Sequence, residues 1–209
     1  MESYRDIELY NKIKPYFFNQ IGFDRFNTCY ALSQYKVSGD IVECGVCNGG
    51  TLALLGAFND SKLWGFDSWE GNPMPDPEFD EALWGNDDCT TIKCVGDIEK
   101  TKEVLFKVMG KRPDRVELVK GWFSDTIPVY KDKIEKIAIL HIDGDWYDSV
   151  KTCLIELYDK VVENGIVYCS DYGFYKGCNI AVHEFLADKG VTIERPYHNG
   201  AYWYKRTKR

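Results

Sequence analysis

Positive charge is what this 209-residue chain has too little of: 26 Lys and Arg stand against 33 Asp and Glu, a formal charge of -7. That is the wrong sign for a protein that holds nucleic acid or anionic lipid through its surface field. The one basic cluster, Lys205, Arg206, Lys208 and Arg209, is a terminal tail and reads as solvated. Long apolar runs are missing too. Nothing approaches the roughly 18 residues that cross a bilayer, and Met1-Glu2-Ser3-Tyr4-Arg5-Asp6 carries no apolar leader. The expectation is a soluble cytoplasmic protein with neither membrane nor nucleic acid among its partners. No repeat, low-complexity tract or linker divides the chain, and one unit of this length buries roughly 70% of its unfolded surface.

Eight cysteines are present, but in a reducing compartment free thiols are the default. Cys44 and Cys47 form a CxxC with no second pair at that spacing, which argues against a zinc ribbon and suits a tight strand-to-helix turn. Histidine is scarce. His141 falls in a strand pattern and His183 in a helical one, so both read as structural, whereas His198 lies in a loop where a substrate contact is open to it.

With 44% hydrophobic and 15% aromatic residues the chain must form a packed core. Asp40-Ile-Val-Glu-Cys44 is an apolar run closed by Gly45, and 51–58 beyond the glycines is helical in pattern, giving a strand, a glycine turn and a helix. Strand patterns at 62–66, 116–119, 137–142 and 165–169 alternate with helical ones at 98–109, 148–162 and 177–189. Such alternation predicts an α/β fold with a mostly parallel sheet covered on both faces. The last two apolar runs, 191–194 and 201–204, predict a C-terminal antiparallel hairpin. Residues 1–36 read as an N-terminal helical cap on a domain of 37–209. The aromatics Phe17, Phe18, Phe23 and Phe26 point to a homodimer or higher homo-oligomer.

Ligands of an open parallel sheet bind outside the carboxyl ends of its strands. Glu43, Asp67, Asp143 and Asp171 stand at or near those ends. The turn Gly45-x3-Gly49-Gly50 lets a ligand approach the backbone but lacks the GxGxxG order, which disfavours a pyrophosphate and a nicotinamide dehydrogenase. Glu43 would attract an ammonium group and Asp67 would accept from a ribose diol, so a nucleoside joined to a cationic amino acid, S-adenosylmethionine (SAM), suits both. Alternatively, either acid caps a helix. Asp143, Asp145 and Asp171 are hard oxygen donors able to hold a divalent cation; alternatively, Asp145 or Asp148 caps the following helix and Asp143 is only a ribose or ammonium contact. The segment 68–97 is too long for a plain crossover and reads as an acidic lid or, alternatively, as an acidic solvated loop.

Five motifs, in order, carry a resemblance: Val42-Glu-Cys-Gly-Val46 with Gly49-Gly50, Gly65-Phe-Asp-Ser-Trp-Glu-Gly71, Val119-Lys-Gly-Trp-Phe-Ser-Asp-Thr126, Leu140-His-Ile-Asp-Gly-Asp-Trp-Tyr-Asp-Ser149, and Ser170-Asp-Tyr-Gly173. From about Gly39 to Leu186 the chain resembles the TylF/MycF (macrocin O-methyltransferase-like) family of class I, Rossmann-like SAM-dependent methyltransferases. The resemblance implies that Glu43, Gly45, Asp67 and Ser68 bind SAM, with Trp122 and Ser124 near the adenine. It also implies that Mg2+ is held by Asp143 and by an acid pair where this chain has Ser170-Asp171, the first acid being replaced by serine. The expected reaction is methyl transfer to a hydroxyl of a sugar or similar small polar metabolite, with Asp143 or His198 as proton acceptor. A SAM-binding protein without catalysis is the alternative.

Overall fold

A computed structural model describes residues 4–18, 21–83, 94–196 and 200–206. Its strands are β1 (Asp40–Cys44), β2 (Leu63–Asp67), β3 (Val116–Lys120), β4 (Ile137–Ile142), β5 (Val161–Cys169) and β6 (Ala201–Tyr204). The α-helices are α1 (Ile7–Ile13), α2 (Phe23–Ser33), α3 (Gly50–Leu55), α4 (Ile98–Lys102, continued by a π-helical segment, Glu103–Val108), α5 (Phe123–Tyr130), α6 (Tyr147–Leu157) and α7 (Lys176–Leu186). The strands form one sheet in the order β3-β2-β1-β4-β5-β6, parallel except for β6, which runs antiparallel to β5. β1 and β4 have the bounds that their apolar runs predict.

Successive strand residues point to opposite faces, so the sheet has two cores. Val42, Cys44, Phe66, Leu140 and Ile142 pack with α5, α6 and α7 in one buried cluster. Ile41, Leu63, Ile139 and Ile166 pack in the other with α3 and with Tyr10, Ile13, Phe26, Cys29 and Leu32 of α1 and α2. The N-terminal helices are therefore part of one core layer. Of the aromatics behind the oligomer expectation, Phe26 is fully buried and Phe17, Phe18 and Phe23 line the cavity described below, with Phe18 47% exposed.

The C-terminal antiparallel pair forms, with one detail changed: β6 pairs along its length with β5, where Trp203 buries beside Val167, and among the described residues 191–194 meet it in one bridge, Glu194 with Tyr202. In addition, α5 holds Pro128 inside eight residues and has no counterpart among the predicted helices. Among the described residues no helix is long and apolar enough to cross a membrane.

Candidate active site

A cavity of about 1150 Å³ opens at the carboxyl ends of β1, β2 and β4. Gly45, Asp67, Ser68, Trp122, Ser124, Asp143, Ser170 and Asp171, all predicted site residues, line it. Two further predicted residues do not. Gly49 has φ +86 and caps α3, and a Cβ there would meet Thr101 and Val104, so this glycine admits the α4 segment rather than a ligand. Glu43 is fully buried, its Oε1 lying 2.8 Å from Nδ1 of His141. In register Glu43 pairs with His141, which lies two residues before Asp143. Its side chain shares the face of Ile41 and does not line the cavity. His198 lies outside the described residues.

The β1–α3 turn is built around Asp67. Its Oδ2 accepts the Cys47 N–H at 2.7 Å and its Oδ1 the Trp69 N–H at 2.6 Å, while the Trp69 indole donates to the Cys47 carbonyl at 2.7 Å. The carboxylate also accepts from the Val46 backbone, and its two oxygens together have about four lone-pair sites, so acceptor capacity is left for a ligand donor. Burial pushes the Asp67 proton affinity up, and the backbone bonds from Cys47 and Trp69 oppose it. Gly45 has φ +95, and a Cβ would lie 1.9 Å from the carbonyl oxygen of Asp143, so β1 and the end of β4 touch only because this residue is glycine. Trp122, 38% exposed, offers an open ring at the rim.

The strand ends of β4 and β5 bring Asp143, Ser170 and Asp171 together. Asp143 Oδ1 accepts from the Ser170 hydroxyl at 2.9 Å, and Ser170 Oγ lies 3.2 Å from His141 Nε2. Asp143 Oδ2 is paired with the guanidinium of Arg25, a residue of α2 that sequence reasoning missed. Burial alone would raise the Asp143 proton affinity, but Arg25, His141 and the Ser170 bond outweigh it and hold the carboxyl below the usual range. Asp171 goes the other way: burial first, then Asp143 and Asp145, push it well above the usual range. Its Oδ2 accepts the Asp145 N–H at 3.2 Å.

The first part of the predicted lid is strapped to this site. Asn72 Nδ2 donates to Asp145 at 2.5 Å, the Trp146 indole to the Pro73 carbonyl at 2.9 Å, and Asp80 accepts the Tyr147 N–H at 2.8 Å, capping α6 from a distant segment. Gly177 makes room for that carboxylate, since a Cβ would lie 2.1 Å from Asp80 Oδ1. Residues 84–93 of the predicted lid lie outside the described ones.

Among the described residues no group of three His, Cys, Asp or Glu is placed to hold a metal ion. Both Asp143 oxygens are engaged, by Ser170 and by Arg25, and Ser170 is a neutral donor. This donor set does not fit a divalent cation as its side chains stand.

The family model for Macrocin-O-methyltransferase (TylF) matches residues 20–205. The demethyldecarbamoylnovobiocin O-methyltransferase of Streptomyces niveus is 31% identical over 183 residues, 81% of this chain and 67% of that protein. The 8-demethyl-8-(2,3-dimethoxy-alpha-L-rhamnosyl)-tetracenomycin-C 4'-O-methyltransferase of Streptomyces olivaceus is 30% identical over 179 residues, covering 80% and 66%. The chain thus spans about two thirds of the length of these curated relatives. The solved structure of the O-methyltransferase NovP superposes with a TM-score of 0.74 at 27% identity, covering 91% of this chain and 83% of that one. The mycinamycin-pathway methyltransferase MycE, solved with Mg, SAH and mycinamycin VI, shares the fold at a TM-score of 0.54 and 15% identity over 97% of this chain and 49% of its own.

Proposed function

Because the chain belongs to the macrocin O-methyltransferase (TylF) family and is a methyltransferase, we propose that it methylates a hydroxyl of a neutral, sugar-like small molecule with SAM as donor. The observation that carries this reading is the cavity itself, which joins the Asp67 turn to the Asp143 and Asp171 strand ends in one space. Eight aspartates and a single basic side chain, Arg25, are among its described lining residues. Such a wall favours the cationic donor and disfavours a phosphate-bearing acceptor. The rhamnosyl group named for the Streptomyces olivaceus relative supports the sugar class.

Asp67 would accept from a ribose diol, Trp122 would cover the adenine, and the Gly45 backbone would lie against the amino-acid part. When bound, SAM supplies an electrophilic methyl group on a sulfonium centre. The chain's own contribution is to hold the acceptor oxygen in line, exclude water with the 68–83 strap, and take a proton. Asp143 is a weak base because Arg25 and Ser170 stabilise its ionised form. Asp171, raised in proton affinity by burial and by Asp143 and Asp145, is better suited to remove the hydroxyl proton. The reading therefore moves the acceptor role from Asp143 to Asp171 and routes no step through Mg2+.

The test is calorimetry with SAM followed by transfer of a labelled methyl group to a panel of neutral glycosides and their phosphorylated counterparts. SAM binding with labelling confined to neutral glycosides is expected. Labelling of only the phosphorylated sugars would overturn the acceptor class.

A further inference from the structure

Arg25 is the only basic side chain among the described residues lining a cavity that carries eight aspartates, and it sits on the very carboxylate, Asp143, that the resemblance assigns to a metal. α2 delivers it there, with Phe26 and Cys29 fully buried in the sheet's second core and fixing the helix against β1. The second carboxylate oxygen of Asp143 is held by Ser170, whose Oγ also contacts His141, itself joined to Glu43. A continuous polar chain, Arg25, Asp143, Ser170, His141 and Glu43, thus runs from the cavity into the sheet.

The charge count gives this arrangement its meaning. The resemblance implies a metal-binding set of Asp143 plus two acids at the end of β5. Here one of those acids is Ser170, and the guanidinium of Arg25 is paired with Asp143. Three carboxylates with a divalent cation leave one negative charge, and so do two carboxylates with Arg25. The loss of an anionic ligand and the presence of a fixed cation are therefore complementary. A guanidinium also presents planar N–H donors to an oxygen on which negative charge develops, an electrostatic service of the same kind as a metal ion's.

We propose that the guanidinium of Arg25 is the resident cation of the acceptor site, taking the place of a divalent metal beside Asp143, so that this chain transfers methyl groups without one. The proposal rests on the methyltransferase reading above. It deepens that reading by naming the group that neutralises Asp143 and faces the acceptor oxygen.

The experiment titrates magnesium chloride alone into the full chain, with SAH present, by calorimetry and by thermal shift. Wild-type protein is expected to give no binding heat and no shift. Arg25→Met keeps the stem and removes the charge. It should expose Asp143 to the metal and tighten Mg2+ by roughly ten- to a hundredfold, the equivalent of one charge-assisted hydrogen bond. Ser170→Asp in the Arg25→Met background should tighten it further, and Arg25→Lys should behave as wild type. In a parallel arm, methyl transfer by wild type should be insensitive to chelator and fall with Arg25→Met. Saturable Mg2+ binding by wild type, which needs no variant to observe, would overturn the proposal, as would an Arg25→Met protein that binds Mg2+ no better. SAM is titrated into the same wild-type preparation: failure to bind it would sink the methyltransferase reading whatever the Mg2+ arm gives.

Discussion

Glu43→Gln tests whether the carboxylate beside the glycine turn is a ligand group or an interior one. Burial is the largest influence on Glu43 and raises its pKa from 4.5 to about 7, while the bond and charge of His141 oppose that rise. Its Oε2 has no hydrogen-bond partner. A shift of this size means that ionising Glu43 in the folded chain costs about 3 kcal/mol more than in the unfolded one. The sign follows from proton binding. With the folded pKa raised, this group's stabilising contribution is complete below about 4.5 and is lost as pH rises to about 7. Gln is nearly isosteric, can still bond His141 Nδ1, and does not titrate. Glu43→Gln should therefore match wild type in mild acid and exceed it above neutrality by up to about 3 kcal/mol.

Urea unfolding at a series of pH values reads this directly, with calorimetry of SAM binding run on the same protein. Because Glu43 is buried and does not line the cavity, SAM affinity should change by less than about twofold, far below the tenfold or more that losing a bond to a charged group would cost. Two results would refute the reasoning. A variant less stable than wild type above neutrality would mean that the Glu43–His141 pair is held as a favourable ion pair. A tenfold loss of SAM affinity would mean that the carboxylate reaches the ligand.

Asp67→Ala leaves the Cys47 and Trp69 amides without their acceptor, so urea unfolding should show a loss of about 1–3 kcal/mol for each buried donor, and SAM affinity should fall with it. Gly45→Ala drives a methyl group into the Asp143 carbonyl at φ +95, and thermal unfolding should register a loss of more than about 2 kcal/mol. Trp122→Ala removes an exposed ring, so melting temperature should hold while SAM binding weakens by about 1 kcal/mol in calorimetry. Asp171→Asn should leave SAM binding intact and reduce labelled-methyl transfer by roughly a hundredfold or more, as for loss of a general base; undiminished transfer would return the proton to another group.

What the sequence makes legible and what it hides divides along contact range. β1 and β4 are bounded correctly because both their faces are buried, and a short apolar run closed by glycine records that locally. Asp67, Asp143 and Asp171 reach the cavity because they stand at or just past the ends of β2, β4 and β5, a position that the strand patterns disclose. Glu43 has the same chemistry one residue earlier in its own strand. Only the β1–β4 register, which sets it beside His141 rather than Asp143, reveals that it lies inside the sheet. That register comes from pairing between segments about a hundred residues apart, and no local pattern encodes it. Arg25 is hidden in the same way: its partner stands 118 positions away, and on α2 it reads as one exposed charge of an amphipathic helix. The substitution that sequence comparison does expose, Ser170 for an acid, looks like a defect when read alone. Beside Arg25 the proposed balance is one of charge, because a monovalent guanidinium leaves the same net charge with one fewer carboxylate than a divalent metal does.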